Sequence, residues 1–462
     1  MSEQPLVKAT LSEGDIRIPL EATFRAKYSL LVRALNGHPL KEDLVYPKLN
    51  LNINGDRVEI GPCKYIAEPG SDNGFGGYLV CVNDILDFES LIVDNNSLKL
   101  QSTFATLPAV LSHKDKIKPA FKNYTADLTY DLSVYKKLFD DLDDEYRAEP
   151  KSVRQQIQRT ILAGEGRKFM AFLDNRLEEL GRLVSDFSKE ENRRHGFYFR
   201  RQLWHIIQCS KIMKRGNLKP RGYSGDSEMM RILYEDRYVG DSTFSKLMHK
   251  HPTEQPGSQA VRNRKRIIAE MIRRYSGRQG DALEKIRVLS VASGAAPELR
   301  DVIRTASDAE RFQVTLLDQD KIALHEAGAH IREVESRLGV RIGIEYLNHS
   351  VRTMLMAPQL KDGLGRFDLI YSMGLFAYLT PRVAAALLGK LIQLLRPGGE
   401  MIVGNFHVSS PSRYYMEYWL DWVLFYRTEA EFLSLLDNSP AKDRARTFFE
   451  DSGCQMFMQI EN

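Results

Sequence analysis

Between Ile286 and Phe406 the chain alternates apolar, strand-like runs with amphipathic, helix-like ones: IRVLSVA, PELRDVIRTA, FQVTLLD, KIALHEAGAHIREVESRL, RIGIEYLN, FDLIYSM, PRVAAALLGKLIQLLR and EMIVGNF. Strands that are apolar along their whole length have no face to give to water. They therefore predict a parallel sheet covered by helices on both sides. In this α/β, doubly wound, Rossmann-like architecture, ligands bind at the carboxyl ends of the strands. The chemistry of such a chain is carried by the residues that follow each strand.

The first strand runs into VLSVASGAAPEL, where Ala292, Ser293 and Gly294 leave the main chain bare before a helix-compatible segment. A turn of small residues lets a ligand approach the backbone. The second strand ends in Leu317-Asp318-Gln319-Asp320. Asp318 follows the glycine at roughly the interval, about 20 residues, at which a carboxylate takes ribose hydroxyls. Asn348 to Ser350, after the third strand, fall where an adenine edge would lie, and Ser372 ends the fourth strand. A dinucleotide favours a G-x-G-x-x-G turn opening a helix, to hold its pyrophosphate. With Gly294 alone at that turn, a nucleoside without phosphates, S-adenosylmethionine, fits better.

FDLIYSMGLFAYL followed by LLRPGGEMIVGNF resembles the fourth strand, next helix, Pro-Gly-Gly turn and fifth strand of class I S-adenosylmethionine-dependent methyltransferases. The likeness spans residues 286 to 406 in order. Ser290 and Ser293 depart from the acidic residue and cysteine common in that class, without touching the backbone role. No Asn/Asp-Pro-Pro-aromatic motif follows the fourth strand, where Ser372-Met373-Gly374-Leu375 stands, which disfavours amide and exocyclic-amine acceptors. Over residues 195 to 460, KPRGYSGDSEMM, SQAVRNRKRII, DLIYSMGLFAYLTPRV and YYMEYWLDWVLFYRTEAEF also resemble the bacterial family of extracellular factor, 3-hydroxypalmitic acid methyl ester biosynthesis proteins. Ala377 stands where an acidic residue is expected in that family's GLF-x-YL motif. The resemblance implies methyl transfer to a small acidic acceptor, a fatty acid carboxylate, giving a methyl ester of the kind used in quorum sensing. A binding module that holds the cofactor without turnover, as sensor or scaffold, is the alternative.

Carboxyl methylation needs alignment more than acid–base chemistry, because a carboxylate is already deprotonated at neutral pH. A hydroxyl acceptor would need a base. His407, just past the fifth strand, is the candidate base or donor, and Arg427 in LFYRTE the candidate partner of an acidic acceptor. Tyr223, in the glycine-rich PRGYSGD turn before EMMRILYE, is the candidate lid residue over the cofactor. No metal-ligand spacing is present, and Cys63, Cys81, Cys209 and Cys454 are scattered as in a reduced cytoplasmic protein.

The preceding residues divide in two. Residues 1–115 read as a β-rich domain, with PKLNLNINGDRVEIGP offering an Asn54-Gly55 hairpin turn. FRAKYSLLVR and that hairpin resemble a PilZ-type barrel lacking the arginine pair and Asp-x-Ser-x-x-Gly pattern that bind a cyclic dinucleotide. Residues 116–255 read as a helical connector capping the acceptor pocket, and 256–462 as the methyltransferase domain. The start, MSEQPLVKATLSEGD, has no export signal pattern, and the most apolar later run carries Lys390, against a membrane span. A net charge of +4 over 462 residues gives no electrostatic case for nucleic acid, although VRNRKR and RRHGFYFRRQLWH mix cations with aromatics. Oligomerisation is compatible with this sequence.

Overall fold

The computed structural model describes residues 7–26, 28–35, 37–42, 44–53, 56–67, 76–82, 88, 114–279, 284–356 and 364–462. The chain divides into two compact units, Met1–Ile117 and Lys118–Asn462.

The first unit contains strands β1 Val7–Glu13, β2 Ile16–Ala26, β3 Ser29–Ala34, β4 Val45–Tyr46, β5 Lys48–Ile53, β6 Asp56–Ile60, β7 Cys63–Ala67 and β8 Gly77–Cys81. They form one antiparallel sheet in the order β4-β7-β8-β3-β2-β1-β5-β6. Alternation supplies the core: Val7, Ala9 and Leu11 of β1 share a buried face with Leu20, Ala22, Leu49 and Leu51. β5 and β6 pair from Leu49 with Ile60 to Ile53 with Asp56. The expected Asn54-Gly55 turn lies outside the described residues, and no pairing that closes the sheet into a barrel is found among the described strands.

The second unit begins with helices α1 Pro119–Glu145, α2 Lys151–Ala163, α3 Glu165–Val184, α4 Lys189–Gln202, α5 Lys211–Leu218, α6 Ser227–Glu235, α7 Thr243–Glu254 and α8 Pro256–Arg278. Their starts are set by local chemistry: Ser188 and Glu191 form a reciprocal capping box on α4, and Asp226 caps α6 through the Met229 amide. These helices belong to the same compact unit as the sheet that follows them. Arg200 of α4 donates to the Glu417 carbonyl at 2.8 Å, Asn217 of α5 donates to the Trp419 carbonyl at 2.7 Å, and Phe199 packs edge-on against Tyr418 and Trp419. The segment following the fifth strand of the main sheet is thus built into the helical layer.

That sheet comprises β9 Ile286–Val291, β10 Phe312–Asp318, β11 Gly343–Asn348, β12 Phe367–Ser372, β13 Leu395–Phe406, β14 Ala445–Phe449 and β15 Gln455–Glu461. Its order is β11-β10-β9-β12-β13-β15-β14. β9 to β13 pair in parallel, and β15 runs against both β13 and β14. This is the 3-2-1-4-5 core of a doubly wound fold extended by a reversed hairpin, with its switch point at β9, flanked by β10 and β12. Both faces are buried. Val288 packs with Ile268 and Ile272 of α8 and Ala327 and Ile331 of α9 (Lys321–Leu338), whereas Leu289 and Val291 pack with Leu387 and Leu391 of α10 (Pro381–Gln393).

One expected boundary is different. The Pro397-Gly398-Gly399 turn does not precede the fifth strand but bulges within it: Phe367 pairs with Leu395, and Leu369, two residues on, pairs with Glu400. The bulge persists because Gly398 takes φ +77° and its amide donates to the Asn462 carbonyl at 2.7 Å.

At the other end of β13, a Cβ on Gly404 would stand 2.9 Å from the Met373 carbonyl and 3.1 Å from a Phe457 ring carbon. Gly404→Ala should therefore destabilise the unit by about 1–3 kcal/mol through overpacking. A lower urea midpoint with unchanged slope is the expected result, and an unchanged midpoint would refute this packing account.

Candidate ligand-binding site at the carboxyl edge of the sheet

The turn after β9 is strained and braced. Ala292, Gly294 and Ala296 all take left-handed φ, at +54°, +56° and +45°. This conformation disfavours a Cβ by roughly 1–2 kcal/mol at each alanine, so the surroundings must hold it. The end of β10 does so: the Leu317 carbonyl accepts from the Ser293 amide at 3.2 Å, and Asp318 Oδ2 accepts from the Gly294 amide at 2.8 Å. A Cβ on Gly294 would meet nothing within 4 Å. Glycine at this position is favoured by backbone angle, and its bareness leaves the space above it open.

That space is a cavity of about 700 Å³ over the ends of β9, β10 and β12, walled on its far side by α6 and α8. Ala292, Ser293, Gly294, Asp318, Gln319 and Tyr223, six of the residues expected from sequence, line it. Asp318 is buried, and its second oxygen accepts from the Asp320 amide at 2.8 Å. Burial raises its carboxyl pKa, opposed by these amide bonds. Each carboxylate oxygen keeps a further lone-pair direction, so Asp318 can brace the turn and still accept from a ligand hydroxyl.

Of the range Asn348 to Ser350, the middle residue faces the cavity. Asn348 turns its amide inward to the Asp318 and Gln319 carbonyls, at 3.0 and 2.9 Å, and Ser350 caps the next helical turn through the Thr353 amide at 3.1 Å. Their neighbours His349 and Val351 face the cavity. Ser372 is buried and donates to the Val291 carbonyl at 2.9 Å, tying β12 to β9 rather than facing the cavity.

The residues expected to serve the acceptor are mostly displaced too. His407 lies outside the cavity lining, with Nδ1 2.6 Å from the Ser409 hydroxyl and its ring edge-on to Phe449. Arg427 is buried, and its guanidinium donates to the Phe376 and Leu379 carbonyls and to Asn405 Oδ1 at 2.6–2.9 Å. It organises the loop that brings Tyr378 to the wall rather than receiving a ligand. Tyr223 does reach the cavity, but burial and the nearby Asp318 and Asp320 carboxylates hold its phenol protonated well above neutral pH. It is a donor there.

Three features of the site are not visible in the sequence. Arg221 straps the Pro220–Asp226 segment down, pairing with Asp320 at 3.0 Å and Glu326 at 2.9 Å. Burial would raise the Asp320 carboxyl, but Arg221 and the α9 amides bring it below its usual value. Glu298, 7% exposed, lines the cavity and accepts from the Tyr371 hydroxyl at 2.7 Å. Its carboxyl is raised by burial, despite Tyr371. Arg264 of α8 stands in the same wall. The two basic stretches are used inside the fold: Arg262 donates to the Leu233 and Thr253 carbonyls, Lys265 pairs with Asp301, and Arg200 pairs with Asp421. Among the described residues no helix is long and apolar enough to cross a membrane, and no group of three His, Cys, Asp or Glu could hold a metal ion.

No protein-family model matches this chain, and no curated protein matches it. Among solved structures it is similar to a magnesium protoporphyrin IX methyltransferase from Synechocystis PCC 6803 with bound S-adenosylmethionine, at 12% identity over 44% of this chain and 83% of that one, with a TM-score of 0.31. It is similar to the N-methyltransferase NodS from Bradyrhizobium japonicum WM9 in complex with S-adenosylhomocysteine, at 14% identity over 43% of this chain and 86% of that one, TM-score 0.30. It is also similar to a possible exported protein from Bordetella parapertussis, at 17% identity over 68% of this chain and 99% of that one, TM-score 0.44.

The Glu298–Tyr371 pair gives a pH signature. The folded carboxyl titrates above the usual 4.5, so between those two values the folded chain binds the extra proton and stability falls as pH rises. Glu298→Gln should flatten that fall relative to wild type in urea midpoints taken across acidic to neutral pH. Tyr371→Phe removes the donor and should destabilise by about 1–3 kcal/mol at neutral pH. Parallel pH profiles for wild type and Glu298→Gln would refute the assignment.

Proposed function

We propose that residues 118–462 form an S-adenosylmethionine-dependent methyltransferase acting on a small-molecule acceptor, and that the acceptor group is the carboxylate of a fatty acid, converted to its methyl ester. The observation that carries the cofactor reading is the braced, left-handed turn at Ala292–Ala296 with Asp318 beneath it and open space above. The same turn argues against a dinucleotide. It runs not into a long helix but into the four-residue helix Leu299–Val302, whose N-cap position is Glu298. Buried Glu298 occupies the place where a pyrophosphate would seek amides.

In this reading Gly294 and its neighbours receive the methionine end, Asp318 the ribose hydroxyls, and His349 and Val351 the adenine edge. When bound, the cofactor supplies an electrophilic methyl group on a positively charged sulfur. The chain's own part is to exclude water, align the acceptor and leave its proton inventory alone. With His407, the base considered from sequence, outside the cavity lining and Tyr223 keeping its proton, neither is placed to deprotonate an acceptor. A carboxylate needs no such base. Met230, Ile268, Met373 and Leu375 give the wall an apolar surface suited to an acyl chain. A cytoplasmic location belongs to the same proposal.

Asp318→Ala should weaken S-adenosylmethionine binding by about 10- to 100-fold, the scale of lost bonds to a charged acceptor. Gly294→Val should abolish binding, because a β-branched residue cannot hold that φ cheaply. Calorimetric titration, with circular dichroism as the folding control, reads both; unchanged affinity in both variants would sink the site. Incubation with methyl-labelled cofactor and 3-hydroxy fatty acids, followed by mass spectrometry of esters, tests the acceptor. Saturable binding without product from any acid would favour a cofactor-binding sensor.

A further inference from the structure

Four cationic side chains line the cavity: Arg231, Arg264, Lys265 and Arg300. Three are neutralised by the chain itself. Arg231 pairs with Glu228 at 2.6 Å and with Glu235, Lys265 with Asp301 at 2.9 Å, and Arg300 with Glu333. Arg264 differs: among the described residues no carboxylate lies within 4.0 Å of its guanidinium. Its Nη2 instead points at the Met230 thioether, 3.0 Å away, which is a weak acceptor. Nη1 lies 3.5 Å from where a Cβ on Gly374 would be, so the guanidinium sits over the end of β12.

A half-buried guanidinium offers five donors in a planar fork. With the Met230 sulfur and the Tyr234 side chain as partners, its donors are not all used, and the complement to its fork is a planar oxyanion. Glu298 stands in the same wall, close enough for the Arg264 charge to oppose the rise that burial causes in its carboxyl pKa. We propose that Arg264 is the anion receptor of this cavity and that it takes a ligand carboxylate. The inference rests on the methyltransferase reading and deepens it. A carboxylate could come from either of two sources, the amino acid end of the cofactor or the acceptor acid.

Two matched ligand pairs separate the sources by calorimetry: S-adenosylmethionine against decarboxylated S-adenosylmethionine, and decanoate against decanol. Wild type should prefer the carboxylate member of one pair by about tenfold or more, and the pair that shows it names the source. Arg264→Gln should erase that preference while leaving the affinity of the uncharged partner unchanged, and Arg264→Lys should keep part of it. The wild-type comparison needs no variant to fold. Equal affinity within both pairs for wild type, or a preference that survives Arg264→Gln, overturns the assignment of Arg264. Failure of wild type to bind either form of the cofactor overturns the methyltransferase reading, and the Arg264 assignment with it.

Discussion

The site depends on one carboxylate. Asp318 holds the Gly294 amide with one oxygen and the Asp320 amide with the other. The first bond keeps a turn containing two left-handed alanines from relaxing, and the second sets the direction in which the chain leaves β10. Without it, the floor of the cavity would have no fixed shape. A buried carboxylate opposed by desolvation and held by amides is costly to maintain, which is why its partners are main-chain groups that do not change rotamer.

Around that floor, arginines do the remaining organisation by different means. Arg427 satisfies carbonyls and shapes the loop that carries Tyr378. Arg221 joins the segment before α6 to Asp320 and Glu326. Tyr378 in turn accepts from the Trp422 indole at 2.7 Å, beside Gly225, where any side chain would collide with both. Segments far apart in sequence thus meet over the strand ends through these hydrogen bonds and ion pairs.

Legibility followed physics. The strand and helix alternation was readable because parallel strands covered on both faces are buried at most positions and mostly apolar, as β9 and β10 show. Gly294 and Asp318 were readable because their spacing follows from one strand–helix–strand unit. Arg221, Arg264 and Glu298 were not, because nothing local says which tertiary neighbour a charged residue will meet. His407 and Arg427 were misplaced for a related reason: following a strand end does not fix the direction of a side chain. Asn348 and Ser350 fall beside the lining because each side chain serves a local bond, one to the carbonyls that follow β10 and the other to the amide of Thr353, while His349 between them faces the cavity. The helical layer was legible as helices but not as part of the same unit, since the contacts of Arg200 and Asn217 reach more than two hundred residues along the chain.

Asp320 serves two masters: it accepts from the first amides of α9, and it anchors Arg221. A shared anchor couples two openings. Lifting the Pro220–Asp226 segment unpairs the very group that nucleates the helix behind β10, so the segment's local unfolding and the fraying of α9 draw on one free energy. Any ligand seated on Gln319 and Tyr223 would deepen both wells together, and by reciprocity a stiffer α9 would tighten that ligand's binding.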